Sequence, residues 1–320
     1  MLTRAHIRSL LLALFVLTYA VLTHAAAAEK TNDSSNLPTY RSVVSRVQVT
    51  FFVTDENNHP VETLTKSDFA VVDNGLVVRN FRSFSASDEN SLDVVALVDL
   101  SESVAPGTRV AIQDVQELVA QEQSIRDDSV AVLYFGAFGG TSGRVRPTVL
   151  CSGGGCRSAN SVNTLLAVKG GGTTPMFDAL IVGADLIWHH RRTGVRPVLI
   201  LFSDGNDTTS LHSEGEALDA VVAAGALVYA VDMGKATNPP AGSRFLRQVA
   251  DASGGRYFSL QDGIANVMSA GFEDLRASYV VTYDLPSHRA GFHSLRLMPT
   301  HTLNLTFHSR NRYYYEPDLR

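Results

Sequence analysis

The chain has 320 residues, 45% of them hydrophobic and 18% charged, and a formal net charge of −5. That length suits one large domain or two modest ones, and the composition is not that of a disordered chain. The acidic balance argues against nucleic acid as the main partner.

Arg4 and Arg8 precede an apolar stretch over residues 10–22, and Ala25, Ala26, Ala27 and Ala28 follow it. A basic start, a short apolar run and a small-residue cleavage site predict a secretory signal peptide over residues 1–28. Thr18, Thr23 and His24 interrupt the run before the roughly 20 apolar residues of a membrane span. The mature chain is therefore expected to be exported, periplasmic or secreted, with no membrane span. Residues 29–42 are polar, with Asn32, Asp33, Ser34, Ser35 and Pro38, and read as a flexible leader.

From residue 43 the pattern changes. Val47, Val49, Phe51 and Val53 alternate with Gln48, Thr50 and Phe52, the period of a strand. Residues 55–60 supply a turn, 69–72 a second strand with Asp73-Asn74-Gly75 as hairpin turn, and 77–84 a third strand. These make an N-terminal β segment over 43–90.

The middle alternates strand and helix. Strands are predicted at 93–99, 129–135, 197–203, 226–231 and 255–259, and helices at 108–123, 174–190, 213–224, 243–252 and 262–276. Such alternation predicts an α/β fold, a doubly wound and mostly parallel sheet with helices on both faces. The β pattern returns at 278–283, 292–298, 303–308 and 313–315. Strands before and after the α/β core most economically pair with each other, so segments 43–90 and 278–320 are expected to form one flanking β-sandwich.

Cys151 and Cys156 stand in C-S-G-G-G-C. In an oxidising compartment a pair this close predicts a local disulfide shaping a surface loop, whereas two thiols without nearby histidines make an incomplete zinc site. Trp188-His189-His190-Arg191-Arg192 reads as a helix C-terminus, because adjacent histidines occupy different faces and basic residues suit that end. Tyr313-Tyr314-Tyr315 reads as a terminal strand with one face buried.

Three segments carry the chemistry. Asp99-Leu100-Ser101-Glu102-Ser103 follows the apolar run Val94-Val95-Ala96-Leu97-Val98, so a buried strand empties one carboxylate and two hydroxyls into a loop at its C-terminal end. Open α/β sheets bind ligands there. These are hard oxygen donors, which suit magnesium, manganese or calcium better than zinc or copper. Taken alone, the run reads better as an Asx or Ser turn capping the helix near Thr108. Gly170-Gly171-Gly172-Thr173-Thr174-Pro175 is a glycine-rich turn that presents hydroxyls and then opens a helix. Val198-Leu199-Ile200-Leu201-Phe202-Ser203-Asp204-Gly205 is a second apolar strand that ends in a carboxylate.

In order and spacing, Asp99-x-Ser101-x-Ser103, Gly171-Gly172-Thr173 and Phe202-Ser203-Asp204-Gly205 resemble the metal-ion-dependent adhesion site of von Willebrand factor type A domains. The resemblance runs over residues 93–276 and sets that module at 91–277. It implies that Ser101, Ser103 and Thr173 ligate a divalent ion through their hydroxyls, with Thr174 in place of Thr173 should the turn be offset by one. Asp99 and Asp204 would hold the ion mainly through bound waters. The implied cofactor is Mg²⁺, with Mn²⁺ or Ca²⁺ as alternatives. Few charged groups then touch the ion, leaving a position for a Glu or Asp carboxylate of a protein ligand. Glu102 departs from the pattern, where a small residue is more usual; its charge either weakens acidic ligands or faces solvent.

In this family the last helix of the domain can slide and alter the metal loop, and here it runs directly into the β region at Ser278. The stretch from Leu64 to Gly75, Tyr279-Val280-Val281-Thr282-Tyr283 and Arg312-Tyr313-Tyr314-Tyr315 further resemble segments flanking the A domain in exported bacterial proteins, notably of acidobacteria. The expectation is an adhesion-type protein-binding module that uses a divalent metal. One alternative is a metal-free structural or envelope scaffold of the same fold, and a third is a metal-dependent hydrolase. Without a G-x-S-x-G elbow, a P-loop, H-E-x-x-H or a positioned base, the chain is not expected to be an enzyme.

Overall fold

The computed structural model describes residues 46–78, 80–87, 91–122, 129–137, 146–157, 159–190, 192, 195–234, 240–260, 267–301 and 304–316. The chain divides into a unit of residues 1–43 and a unit of residues 44–320. The signal peptide and leader expected over 1–42 lie outside the described residues. The N-terminal strands are β1 (Arg46–Thr54), β2 (Phe69–Asp73), β3 (Leu76–Val78) and β4 (Ser83–Ala86). The single third strand expected at 77–84 is thus two short strands. β3 pairs with β2, whereas β4 pairs in a different sheet, so the chain changes sheets between them.

The α/β body follows as β5 (Ser91–Asp99), α1 (Thr108–Glu122), β6 (Ser129–Phe135), β7 (Thr148–Ser152), α2 (Ala159–Asn163), α3 (Met176–His189), β8 (Val195–Ser203), α4 (Glu214–Ala224), β9 (Leu227–Asp232), α5 (Pro240–Ser253), β10 (Arg256–Ser259) and α6 (Val267–Arg276). Its six strands lie in the order β10-β9-β8-β5-β6-β7. All pairings are parallel except that of β7 with β6. β5 is central, and residues 94–98 are at most 2% exposed because helices cover both faces, which is why this strand reads as an unbroken apolar run. Val94, Ala96 and Val98 pack with Ile112, Val115 and Leu118 of α1 and Phe272 of α6. Val95 and Leu97 pack with Leu180 of α3, Val221 of α4 and Leu246 of α5. Each such buried aliphatic side chain contributes about 1.5–3 kcal/mol.

The stretch around Cys151 departs from the sequence reading. β7 is an antiparallel edge strand that the sequence reading did not include, whereas the disulfide Cys151–Cys156 does close a surface loop: Ser152, Gly154 and Gly155 are exposed, while the two cysteines pack against the core at 8% and 0% exposure. The apolar neighbours of the sulfur atoms bury it, and the short closed loop itself contributes little.

The C-terminal strands are β11 (Tyr279–Asp284), β12 (Gly291–Pro299), β13 (Thr306–Ser309) and β14 (Arg312–Tyr315). They interleave with the N-terminal strands in two antiparallel sheets, β13-β1-β11-β4 and β14-β12-β2-β3. Phe51, Phe69, Val71, Tyr279, Val281 and Leu297 fill the space between them. A polar network lies in the same core. Asp73 accepts hydrogen bonds from Tyr283 and Tyr313 at 2.8 and 2.7 Å, and His293 lies 3.2 Å from the Tyr313 hydroxyl. Tyr313 is buried and Tyr314 is 51% exposed, as a one-sided strand requires.

Sandwich and α/β body meet where the chain crosses between them. Ser87 donates its N–H to the Ser278 carbonyl at 2.7 Å. Arg196, buried at the start of β8, donates to the Leu275 carbonyl at 2.9 Å, to the Ser278 hydroxyl at 2.5 Å and to the Ser87 hydroxyl. Arg256 pairs at 2.8 Å with Asp274 of α6. Within the sandwich, His308 of β13 stacks on Phe52 of the neighbouring β1 with centroids 4.4 Å apart and shares a 3.0 Å hydrogen bond with Thr54.

Replacing Arg196 with Met removes its donation to the Ser87 and Ser278 hydroxyls and leaves the Leu275 carbonyl with only the Ser278 hydroxyl, and is expected to lower the unfolding free energy by about 3 kcal/mol. Urea denaturation measures the loss, and amide exchange should accelerate first over residues 275–279. Burial, reinforced by Arg256, pushes the His308 imidazole down to about 4 from its ordinary 6.5. The unfolded chain therefore takes up this proton first as pH falls. The stability carried by neutral His308 is complete above pH 6.5 and is lost as pH drops through 4, by up to about 3 kcal/mol. The wild-type minus His308→Asn difference in unfolding free energy, measured from pH 7 to 3.5, should show that decline.

Candidate metal centre

β5, β6 and β8 end side by side, and their loops meet over Asp99. The Asp99 carboxylate is fully buried. Its Oδ1 accepts the Ser101 N–H at 2.8 Å and its Oδ2 accepts the Ser203 hydroxyl at 2.8 Å. Burial nevertheless pushes its carboxyl up to about 6, against the hydrogen bonds from Ser101 and Ser203, and the nearby charge of Asp204 adds to the rise. Ser101 is buried, and its hydroxyl lies 3.2 Å from that of Ser103, which is exposed. Glu102 is exposed in the 3-10 turn Glu102–Val104.

The glycine turn is fastened to this loop through backbone. Gly171 donates to the Leu100 carbonyl at 2.9 Å and Gly172 to the Gly136 carbonyl at 2.8 Å, while Leu100 donates to Phe135 at 2.9 Å. A Cβ on Gly170 would lie 2.2 Å from the Leu100 oxygen, so backbone approaches backbone as only glycine permits. Thr173, one residue beyond this fastening, is exposed. Thr174 is 5% exposed, and its N–H and carbonyl are both taken by Thr208 at 2.8 and 2.9 Å. Asp204, 2% exposed, accepts the Asn206 N–H at 3.1 Å.

The loops thus gather Asp99, Ser101, Ser103 and Asp204, with Thr173 on the adjoining turn. Among the described residues there is no cluster of three or more His, Cys, Asp and Glu side chains placed to hold a metal. The donor chemistry present is two carboxylates and neutral hydroxyls, all oxygen, which fits a hard divalent cation and not a soft one.

Sequence reasoning assigned no role to Ser203, which ties β8 to Asp99, or to Gly136. Gly136 has φ +75°, and a Cβ there would fall 2.7 Å from the Ser101 nitrogen and 2.8 Å from Asp99 Oδ1. A glycine directly after the apolar run 129–135, the neighbour strand of β5, was the available signal. Asp207, Thr208 and Ser210 were missed too, although the Asp207-x-x-Ser210 spacing is a turn signal.

The family of von Willebrand factor type A domains matches residues 93–269. Among solved structures, an aerotolerance-related membrane protein from Bacteroides fragilis NCTC 9343 is similar at 14% identity, covering 58% of this chain and 98% of that one, with TM-score 0.39. BatB from Bacteroides thetaiotaomicron is similar at 16% identity, covering 57% and 100%, with TM-score 0.40. The manganese-loaded TRAP protein of Plasmodium vivax is similar at 16% identity, covering 76% and 97%, with TM-score 0.41. Comparison with curated proteins finds no match.

Gly136→Ala forces both a left-handed backbone and a clash with the Asp99 loop. It is expected to destabilise the protein by about 2–3 kcal/mol, read from the denaturation midpoint at unchanged m-value.

Proposed function

Because this chain belongs to the von Willebrand factor type A domain family, we propose that its 91–277 module binds a protein partner through a divalent cation held by Ser101, Ser103 and Thr173. Asp99 and Asp204 act from behind these hydroxyls, Asp99 with both oxygens engaged by Ser101 and Ser203. When bound, the cation supplies a Lewis-acidic position that a Glu or Asp carboxylate of the partner completes. Mg²⁺ is the proposed ion, with Mn²⁺ and Ca²⁺ as alternatives. Domains of this family are generally interaction modules rather than enzymes. The observation that carries the reading is the convergence of three strand-end loops on one buried carboxylate, with hydroxyls outnumbering carboxylates among the proposed ligands.

Export is part of the proposal, supported by the N-terminal charge and hydropathy pattern and by a disulfide suited to an oxidising compartment. Among the described residues no helix is long and apolar enough to cross a membrane.

A second reading, a metal-free scaffold, has one observation in its favour. Protein donors engage both Asp99 oxygens, so hydrogen bonds from its own and the neighbouring strand already compensate the buried carboxylate. Calorimetric titration of Mg²⁺ and Mn²⁺ separates the two. Saturable binding in the wild type, lost in Asp99→Ala and Ser101→Ala, is expected, as is release of a captured partner by EDTA. A wild type that binds neither ion leaves the scaffold reading standing.

A further inference from the structure

The helix that follows the glycine turn lacks a cap of its own. α3 starts after Pro175, which offers its first turn no side-chain hydrogen bond. The donors are instead met from the loop that follows Asp204. Phe177 donates its N–H to Asp207 Oδ2 at 3.1 Å, and Asp178 donates its N–H to the Ser210 hydroxyl at 3.0 Å. One residue before Pro175, Thr174 donates to the Thr208 hydroxyl at 2.8 Å, and Thr208 returns its N–H to the Thr174 carbonyl at 2.9 Å.

The exchange also runs the other way. The Asp178 carboxylate accepts the N–H groups of Leu211 and His212 at 3.1 and 3.2 Å and lies 2.8 Å from His212 Nδ1. Asp207 braces its own loop by accepting the Ser210 N–H at 3.1 Å and its hydroxyl at 2.5 Å. Segments 174–178 and 207–212 are therefore one hydrogen-bonded body. Thr173 stands at the edge of the first segment and Asp204 three residues before the second.

We infer that Asp207 and Thr208 are positioning residues of the metal centre: Asp207 caps α3 from outside, Thr208 pins the Thr174 backbone just before it, and together they hold the Thr173 turn in register with Asp204 before any cation binds. This rests on the metal reading proposed above. The physical reason is preorganisation, since a turn already ordered by the protein does not have to be ordered by the ion. Helix capping by a segment distant in sequence achieves it, and the negative charge of Asp207 at the N-terminus of α3 reinforces it.

The test uses the full chain as wild type, Thr208→Val, Thr208→Ser, Asp207→Ala and Asp99→Ala, each first shown to be folded. Two quantities are measured: Mn²⁺ affinity by titration, and hydrogen exchange of the Thr174, Phe177 and Asp178 amides without metal. Thr208→Val removes the acceptor without changing charge. It is expected to weaken Mn²⁺ binding about tenfold and to speed exchange at Thr174, with Thr208→Ser restoring both. Asp207→Ala is expected to do the same at Phe177. A purely structural role would shift the melting temperature while leaving the Mn²⁺ affinity of the folded protein unchanged, and that result overturns the inference while the loss in Asp99→Ala upholds the site. Unchanged amide exchange in Thr208→Val and Asp207→Ala overturns it regardless of metal. A wild type that does not bind Mn²⁺ removes the metal reading and this inference together.

Discussion

Asp99 carries its carboxylate at the buried end of the central strand, and an ionisable group in that position is tenable only if hydrogen-bond donors surround it. The donors come from the Ser101 backbone and from Ser203 of the neighbouring strand, which brings the β5 and β8 loops together. Gly136 lets the β6 end pass close beside them, and the glycine turn closes the ring through Leu100. The meeting of these loops at this end of the sheet is thus tied to satisfying one buried acid, and Ser103 and Thr173 add exposed hydroxyls beside it. Its all-oxygen chemistry is of the kind that suits a hard cation.

At the opposite end of the sheet the governing constraint is that the α/β body is inserted into the sandwich, so the chain must cross twice at one place. Arg196 grips both crossings, Ser87 and Ser278, together with the last helical carbonyls at Leu275. Arg256 grips Asp274 one residue earlier, although burial pushes that carboxyl up to about 6 despite its partner. The last helix is therefore anchored at its C-terminal end by two strands of its own sheet, and β11 begins directly beyond it. Any displacement of α6 has to break or carry these bonds. The sandwich also touches the α/β body at α4, through Arg312 and Asp219 at 2.7 Å, and at the end of α5, where Asn311 donates its N–H to the Ala252 carbonyl at 3.0 Å.

Inside the sandwich, Asp73, Tyr283, Tyr313 and His293 form a buried polar network that draws on both sheets. An apolar filling would serve stability as well. What the network adds is register, because a slip of one residue in β2, β11 or β14 would leave a buried carboxylate or hydroxyl without its partner.

Much of this was legible in the sequence. The unbroken apolar runs before Asp99 and Asp204 announced strands covered on both faces, and the alternation around Val49 and Val281 announced strands covered on one, because polarity along a chain records burial locally. The residue types at the strand ends likewise restricted the site to oxygen chemistry. Tertiary structure alone decided which loops touch. Nothing near Thr174 signals Thr208, nothing near Arg196 signals Ser87, and the cysteine pair gave no sign of the edge strand β7. These contacts join residues tens to over a hundred positions apart, and they exist because the strand order places β8 beside β5 and brings residues 87 and 278 to one crossing point, an arrangement no local pattern encodes.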